Sequence, residues 1–376
     1  MIFCLILLYL CGVYFYLRWL TKKYFLTIDK TPPELCSQLK TLDEIRNQYQ
    51  DRSEINILVL TGGGVRGLIP LLVLSKIEEL TGKKTGELFD FMAGTSTGSV
   101  NCGIMAVAND DGNNRYSAQN IVDNYMDNIC MMFSAPWYHQ FLTLFGIFGP
   151  RYLPEGKLSV LNGYFANSRL ANVATNILVP VYDVVENSLK IIRNWAPSGK
   201  TLHSNYLLTD LIHGASNPPM LFSPQSFTID GEKKIFIDPG VVLNNPAEIA
   251  LMNAWFMFPN KKIRLVLIGN GGNDVMKYDH QHIAEFGAYG LFQYLLNSPV
   301  INSKLSTDLV YEYIHEANDY GLDVEFVEIN SDGAQGLLVG DTSDSNMARI
   351  RQFADKVLME NHNKIIELKH NLELRI

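Results

Sequence analysis

The residues able to do chemistry fall in three short blocks. Gly94-Thr95-Ser96-Thr97-Gly98 is a G-x-S-x-G pentapeptide set between an apolar run and a helical stretch. In that setting the serine sits on a sharp strand-to-helix turn with its Oγ exposed, and Gly94 and Gly98 remove side chains that would collide across the turn. A serine hydroxyl is a poor nucleophile at neutral pH unless a base takes its proton. All eight histidines lie after Ser96, so chain order leaves a Ser-Asp-His triad open, but none sits in a motif that nominates it. Asp238 is the better base. It ends the apolar run KIFID and opens Asp238-Pro239-Gly240-Val241-Val242-Leu243-Asn244-Asn245-Pro246, and the carboxyl ends of strands are where open α/β sheets place their sites. Burial there would lift its pKa toward neutrality, which suits a general base. The plainer reading of Asp238 is a turn or helix-capping residue.

Ahead of the serine lies Thr61-Gly62-Gly63-Gly64-Val65-Arg66-Gly67, directly after another apolar run. Gly62-x-Gly64-x-x-Gly67 satisfies the dinucleotide fingerprint in a strand-loop-helix context. The same residues read equally as an oxyanion hole, with successive amides of Gly62, Gly63 and Gly64 converging on one negative oxygen at a helix N-terminus. A tight turn and nothing more is the third reading. The serine turn one strand-helix unit later favours the oxyanion hole, because a dinucleotide site leaves the other two blocks unexplained. A β-branched residue at Gly63 is expected to obstruct a backbone angle open only to glycine.

These blocks need a parallel sheet to hold them. Short continuous apolar runs at Ile55–Leu60, Leu88–Gly94, Lys234–Asp238, Arg264–Gly269 and Val324–Ile329 read as strands. Helices are expected at Gly67–Leu80, Thr97–Ala108, Pro246–Phe256, His280–Leu296 and Ser345–Leu372, the last closing one face of the sheet. The class is α/β. Thr27–Ser53, with Pro32-Pro33, reads as a linker holding one short amphipathic helix around Leu35–Tyr49, so the division is 1–25, 26–53 and a catalytic domain over 54–376. Among 376 residues, 47% are hydrophobic and 19% charged, which excludes disorder as the main state. A net charge of −8 gives no bulk attraction for phosphate backbones, so nucleic acid is not an expected partner. Five scattered cysteines, without a CxxC, make neither a disulfide framework nor a zinc site, and no metal or cofactor is called for.

The amino terminus differs from the rest. Met1–Leu17 carries no charge, and the apolar run continues past Arg18 to Leu20, enough at about 1.5 Å per residue to span a hydrocarbon core of about 30 Å. The charges Arg18, Lys22 and Lys23 follow the apolar stretch, so an uncleaved single-pass anchor over 1–25 with the domain on the cytoplasmic side is the expectation. A cleaved signal peptide, giving a secreted protein, and a buried core helix are the alternatives. Met131–Gly156 is dense in Trp, Tyr, Phe and Leu and reads as core or as an interfacial surface for a lipid substrate.

Taken together, TGGGVRG, GTSTG and DPGVVLNNP resemble, in order, the signature blocks of the patatin-like phospholipase family. Gly214–Phe222 and Ile268-Gly269-Asn270-Gly271-Gly272 are similar to further family segments, and the likeness runs from about Ile55 to Leu372. The resemblance implies a three-layer sandwich with a mostly parallel central sheet, related to the α/β hydrolases. It implies a Ser96/Asp238 dyad, an oxyanion hole at Gly62, Gly63 and Gly64, and an arginine position at Arg66 that helps hold the loop or a phosphate. Gly94, Gly98 and Gly240 are supporting residues. The chemistry implied is metal-free hydrolysis of fatty acyl esters of glycerophospholipids or other acyl lipids at a membrane, with transacylation or an inactive scaffold as alternatives. Thr61 and Pro239 depart from the family's usual Asp and Gly.

Overall fold

Period-two side-chain alternation along the first strand organises the whole molecule. In the computed structural model, residues 2–25, 39–144, 146, 148–196, 206–229, 232–271, 303–334 and 336–373 are described. Their strands are β1 (Glu54–Leu60), β2 (Phe91–Gly94), β3 (Asn176–Asp183), β4 (Ser188–Arg193), β5 (Gln225–Ile229), β6 (Glu232–Ile237), β7 (Lys262–Ile268) and β8 (Val324–Ile329). Their helices are α1 (Ile2–Phe25), α2 (Leu42–Gln48), α3 (Leu68–Thr81), α4 (Thr85–Leu88), α5 (Thr97–Ala106), α6 (Ala118–Asp123), α7 (Tyr125–Met132), α8 (Trp137–Leu142), α9 (Pro154–Phe165), α10 (Leu208–Ala215), α11 (Ala247–Met257), α12 (Ser303–Asp319), α13 (Asp344–Glu360) and α14 (His362–Glu373). Leu58 and Leu60 of β1 join one buried layer with α3, α5, α10, α13 and α14. Ile57 and Val59 join the other, with Ile45 of α2, Leu251 of α11 and Val310 of α12. The result is an α/β architecture, a mixed and mostly parallel sheet with helices on both faces.

The sheet order is β5-β6-β3-β2-β1-β7-β8, with β4 added on β3. β1 is parallel to both β2 and β7, so the chain winds outward in two directions from it. That reversal opens a crevice beyond the carboxyl end of β1. The antiparallel part serves the same place. β4 occupies one edge of β3 from Leu178 to Asp183, so β2 and β6 must share the other edge. β2 pairs there at Asn176–Leu178 and β6 at Tyr182–Asp183, running toward each other. Carried on from Ala93↔Leu178, residue 96 falls level with Val181, and from Tyr182↔Ile237 so does residue 238. The register alone therefore brings the ends of β2 and β6 to one point.

All five expected strands form within a few residues of the expected limits, and β3, β4 and β5 are additional. The expected helix at His280–Leu296 lies outside the described residues. The helix expected over Ser345–Leu372 is two, broken at Asn361, whose side-chain amide donates to Val357 O and Asn330 O and so competes with the helical ladder. The helix expected at Leu35–Tyr49 is the shorter α2, closed by a Thr41/Glu44 capping box. Residues expected to be linker are partly domain: Ile45 and Tyr49 are buried in the second layer.

α1 lies against the body rather than apart from it. Tyr9 Oη donates to Phe141 O at 2.9 Å, Tyr16 Oη meets His139 Nδ1 at 2.7 Å, and Lys23 pairs with Glu155 at 2.7 Å. Val13 and Leu20 are buried, while Leu8, Tyr14, Phe15 and Trp19 face outward. Among the described residues no helix is long and apolar enough to cross a membrane. The helix expected as an anchor at the amino terminus is tied to α8 and α9 by its own polar groups. The aromatic segment divides, with His139 and Tyr152 buried and Trp137, Tyr138 and Phe141 exposed.

Candidate active site

Ser96 stands at the junction of β2 and α5 with φ 54° and ψ −122°, a left-handed conformation that non-glycine residues seldom adopt. Two close approaches explain its glycine neighbours. A Cβ on Gly94 would lie 2.3 Å from the carbonyl of Gly98, and one on Gly98 would lie 2.3 Å from Leu60 O. The helix thus starts directly on the serine, whose carbonyl accepts from Ser99 N at 2.9 Å and Val100 N at 3.2 Å. This places Oγ at the electropositive end of α5, where a developing alkoxide is favoured.

Asp238 is 5% exposed and caps a single turn of 3-10 helix at Pro239–Val241. Its φ of −59° and ψ of 123° are the extended conformation that a following proline imposes, so Pro239 fits the strand end. Its amide donates to Asn217 O at 3.1 Å, and its Oδ1 accepts from Gly240 N at 2.8 Å. The Ser96 hydroxyl lies close enough to the carboxyl to act on its pKa. Burial raises the Asp238 pKa to about 6, while the neighbouring Ser96 hydroxyl, the Gly240 amide and the nearby Lys157 cation hold it down.

The glycine loop forms the third wall. Gly62 N donates to Asn244 O at 3.1 Å, which removes that amide from the expected oxyanion trio and leaves Gly63 and Gly64. Neither of their N–H groups has a backbone acceptor among the described residues. Gly63 has φ −178°, an extended angle open to any residue, so the expected glycine-only angle is absent there. Its constraint is space: a Cβ would lie 2.1 Å from Asn270 Nδ2. Gly64 has φ +56°, and its Cβ would lie 2.0 Å from Val339 O. Asn270 Nδ2 donates to Gly62 O at 2.5 Å and Thr61 O at 3.3 Å. It braces the peptide unit whose N–H belongs to Gly63, and hydrogen bonding at the carbonyl polarises that N–H. A Cβ on Gly67 would meet Thr97 Oγ1 at 2.3 Å, so the glycine loop seats directly on the serine helix.

The three blocks open into one cavity of 1060 Å³. Ser96, Asp238, Gly63 and Gly64 line it together with the apolar Val100, Ile104, Ile129, Met132, Phe133 and Phe222. Arg66 lines it too. Burial lowers its pKa to about 10, so it remains a cation, and its Nε has no partner among the described residues. No described histidine lines the cavity. His139 is engaged by Tyr16 and Pro150 O, and His213 lies buried beside Lys157. The arrangement can deprotonate a serine, receive an apolar chain and hold a negative oxygen.

Sequence reasoning did not find Lys157, which lies beside the aspartate, and gave Asn217, inside the Gly214–Phe222 segment, no role. A lysine within a helix reads as a solvated surface charge, and nothing in its neighbours signals otherwise. Asn244 and Asn270 lay inside quoted segments without a role.

A family model described as patatin-like phospholipase matches residues 58–251 of this chain, which takes in all three blocks. Patatin-like protein 2 of Oryza sativa subsp. indica is 25% identical over 359 residues, covering 85% of this chain and 88% of its own length. Patatin-like protein 4 of Arabidopsis thaliana is 22% identical over 345 residues, covering 82% and 84%. Patatin-like protein 2 of the same plant is 24% identical over 334 residues, covering 80% of each. Since the matched region is 194 of 376 residues and the relatives align along most of their length, this chain belongs to the patatin-like phospholipase family, whose members are in general lipid acyl hydrolases.

Proposed function

We propose that the protein cleaves fatty acyl esters of membrane glycerolipids, with phospholipase A-type activity, through Ser96 as nucleophile and Asp238 as base. The observation that carries this reading is the strained Ser96 set beside a buried carboxyl whose pKa burial raises to about 6. Ser96 Oγ attacks the ester carbonyl carbon while its proton passes to Asp238. The carbonyl electrons move onto oxygen, which the amides of Gly63 and Gly64 receive. Collapse of that intermediate expels the lysolipid alkoxide, which takes the proton from Asp238. Water, deprotonated by Asp238, then attacks the acyl-serine and releases a fatty acid, restoring the hydroxyl. Arg66, which lines the same cavity, offers a cation for the phosphate of a phospholipid. No metal enters this scheme.

We further place the protein at a membrane surface, on the cytoplasmic side. Support comes from the outward apolar residues of α1 and from exposed Trp137, Tyr138 and Phe141, a composition suited to the membrane–water interface. The test of the activity is incubation with mixed lipids and identification of products by mass. Free fatty acid and lysolipid, absent with Ser96→Ala, are expected. Acyl transfer to a second lipid alcohol without free acid would assign a transacylase, and no product with any lipid would overturn the reading.

A further inference from the structure

Asp238 is held by a buried cation from a helix the three motif blocks do not include. Lys157 lies in the first turns of α9 and is 1% exposed. Its Nζ donates to Ser216 O at 2.5 Å, Asn217 Oδ1 at 2.7 Å and His213 O at 3.3 Å. Three acceptors surround it, so all three ammonium hydrogens are used; a neutral amine has only two and would leave a lone pair facing an oxygen. Two of the acceptors are carbonyls at the C-terminal end of α10, which carries the negative end of its dipole. The Phe222 ring centroid is 4.6 Å from Nζ and covers it.

This cluster is joined to the base by one residue. Asn217 takes a hydrogen bond from Lys157 on its side chain and one from the Asp238 amide on its carbonyl, the latter at 3.1 Å. We propose that Lys157 is a positioning residue for Asp238: through Asn217 it fixes the backbone that carries the carboxyl to Ser96, and its cation favours the carboxylate. The proposal rests on the Ser96/Asp238 reading above. Burial lowers the Lys157 pKa to about 7, with the Asp238 charge opposing. His213, on α10, is held neutral by burial and by Lys157. The remaining charged or titratable groups around the cavity are Arg66, Arg151, Asp341, Tyr125 and Tyr164, and all of them remain in the variants that test this.

The test follows the carboxyl itself. Carbon-13 NMR of aspartate side chains in the full chain, with Asp238 assigned by Asp238→Asn, gives its titration midpoint without reference to turnover. Lys157→Gln keeps a donor for the carbonyls but no charge, Lys157→Met keeps neither, and Lys157→Arg keeps the charge. Gln and Met should raise the midpoint by about one unit, the low end of what loss of a neighbouring opposite charge produces, and Arg should hold it near the parent. The acid limb of kcat/KM should move with the midpoint, and a shift from about 6 to about 7 would leave about a fifth of the parent rate at pH 6. A midpoint unchanged in a folded Gln or Met variant overturns the proposal. Failure of both Gln and Met to fold cooperatively also overturns it, because the lysine is then only a structural buttress. Absence of ester turnover in the parent, with the midpoint still shifting, would instead sink the functional reading and leave Lys157 holding the carboxyl.

Discussion

Replacing Gly64 with alanine should cost both turnover and stability, and the structure sets the scale of each. The added Cβ would sit 2.0 Å from Val339 O and 3.0 Å from Val339 C. That neighbour is backbone, so no rotamer change relieves the contact, and the residue must also hold φ +56°. The left-handed angle costs alanine about 1 kcal/mol, overpacking costs about 1–3 kcal/mol, and pushing Val339 away endangers a net contribution of about 1 kcal/mol from its bond to Val65 N, 3.0 Å long. A total of about 3–5 kcal/mol, with an unfolding entropy of about 2.1 cal/mol/K per residue over 376 residues, lowers Tm by about 4–6 °C. Catalytically, the same displacement turns the Gly64 N–H away from the oxyanion. Loss of one such donor costs about 10²–10³ in kcat, with KM changing much less because the ground-state carbonyl makes weaker use of it. The assay is kcat and KM on a soluble acyl ester well below the variant's Tm, alongside a thermal melt. A kcat within threefold of the parent, or a KM-only effect, would refute the oxyanion assignment for Gly64.

Gly63→Val should act on the same hole through Asn270 rather than through a backbone angle, costing on the order of 3 kcal/mol of transition-state stabilisation; full turnover in this variant would make Gly63 a turn residue only. Asp238 titrates near pH 6 in the fold against an ordinary 3.8, so its raised pKa favours the folded state below about pH 4, and this contribution is lost as pH rises through 6. At neutral pH the buried carboxylate therefore costs about 3 kcal/mol, and Asp238→Asn should melt higher than the parent at pH 7, with the gap closing between pH 6 and pH 4; a gap constant across that range contradicts the burial argument. In the same range kcat/KM should rise with pH toward a plateau above about 6, as the base loses its proton. Phe15→Glu with Trp137→Asp should weaken flotation with lipid vesicles while leaving turnover of a dispersed short-chain ester unchanged, and undiminished vesicle binding would remove that face from the membrane proposal.

The parts of the site legible in the sequence are those whose constraint is local. Gly94 and Gly98 are required by atoms a few residues away or on the adjoining strand, and Asp238 ends an apolar run, so residue type and spacing are enough to locate them. The engagement of Gly62 is not legible, because its amide partner, Asn244 O, lies some 180 residues away and nothing in a glycine run tells which N–H is taken. Lys157 was invisible for the same reason, its acceptors being the end of another helix. The parallel strands read clearly because burial on both faces makes them continuous apolar runs. β3 carries Pro180, which argues against an interior strand. In the sheet it is tolerated because β2 pairs only with Asn176–Leu178, leaving the proline beyond that ladder. The break at Asn361 was masked by apolar spacing that runs on through both α13 and α14.

The most direct measurement is covalent labelling of the full chain with an alkyl fluorophosphonate, which reacts only with an activated serine, followed by peptide mapping. The account predicts one phosphonyl adduct, on Ser96, formed in the parent at a rate that rises through about pH 6 and falling by at least 10²-fold in Asp238→Asn, since nucleophile and base act as a unit. An adduct on another serine, or labelling of Ser96 at an unchanged rate without the Asp238 carboxylate, would contradict it.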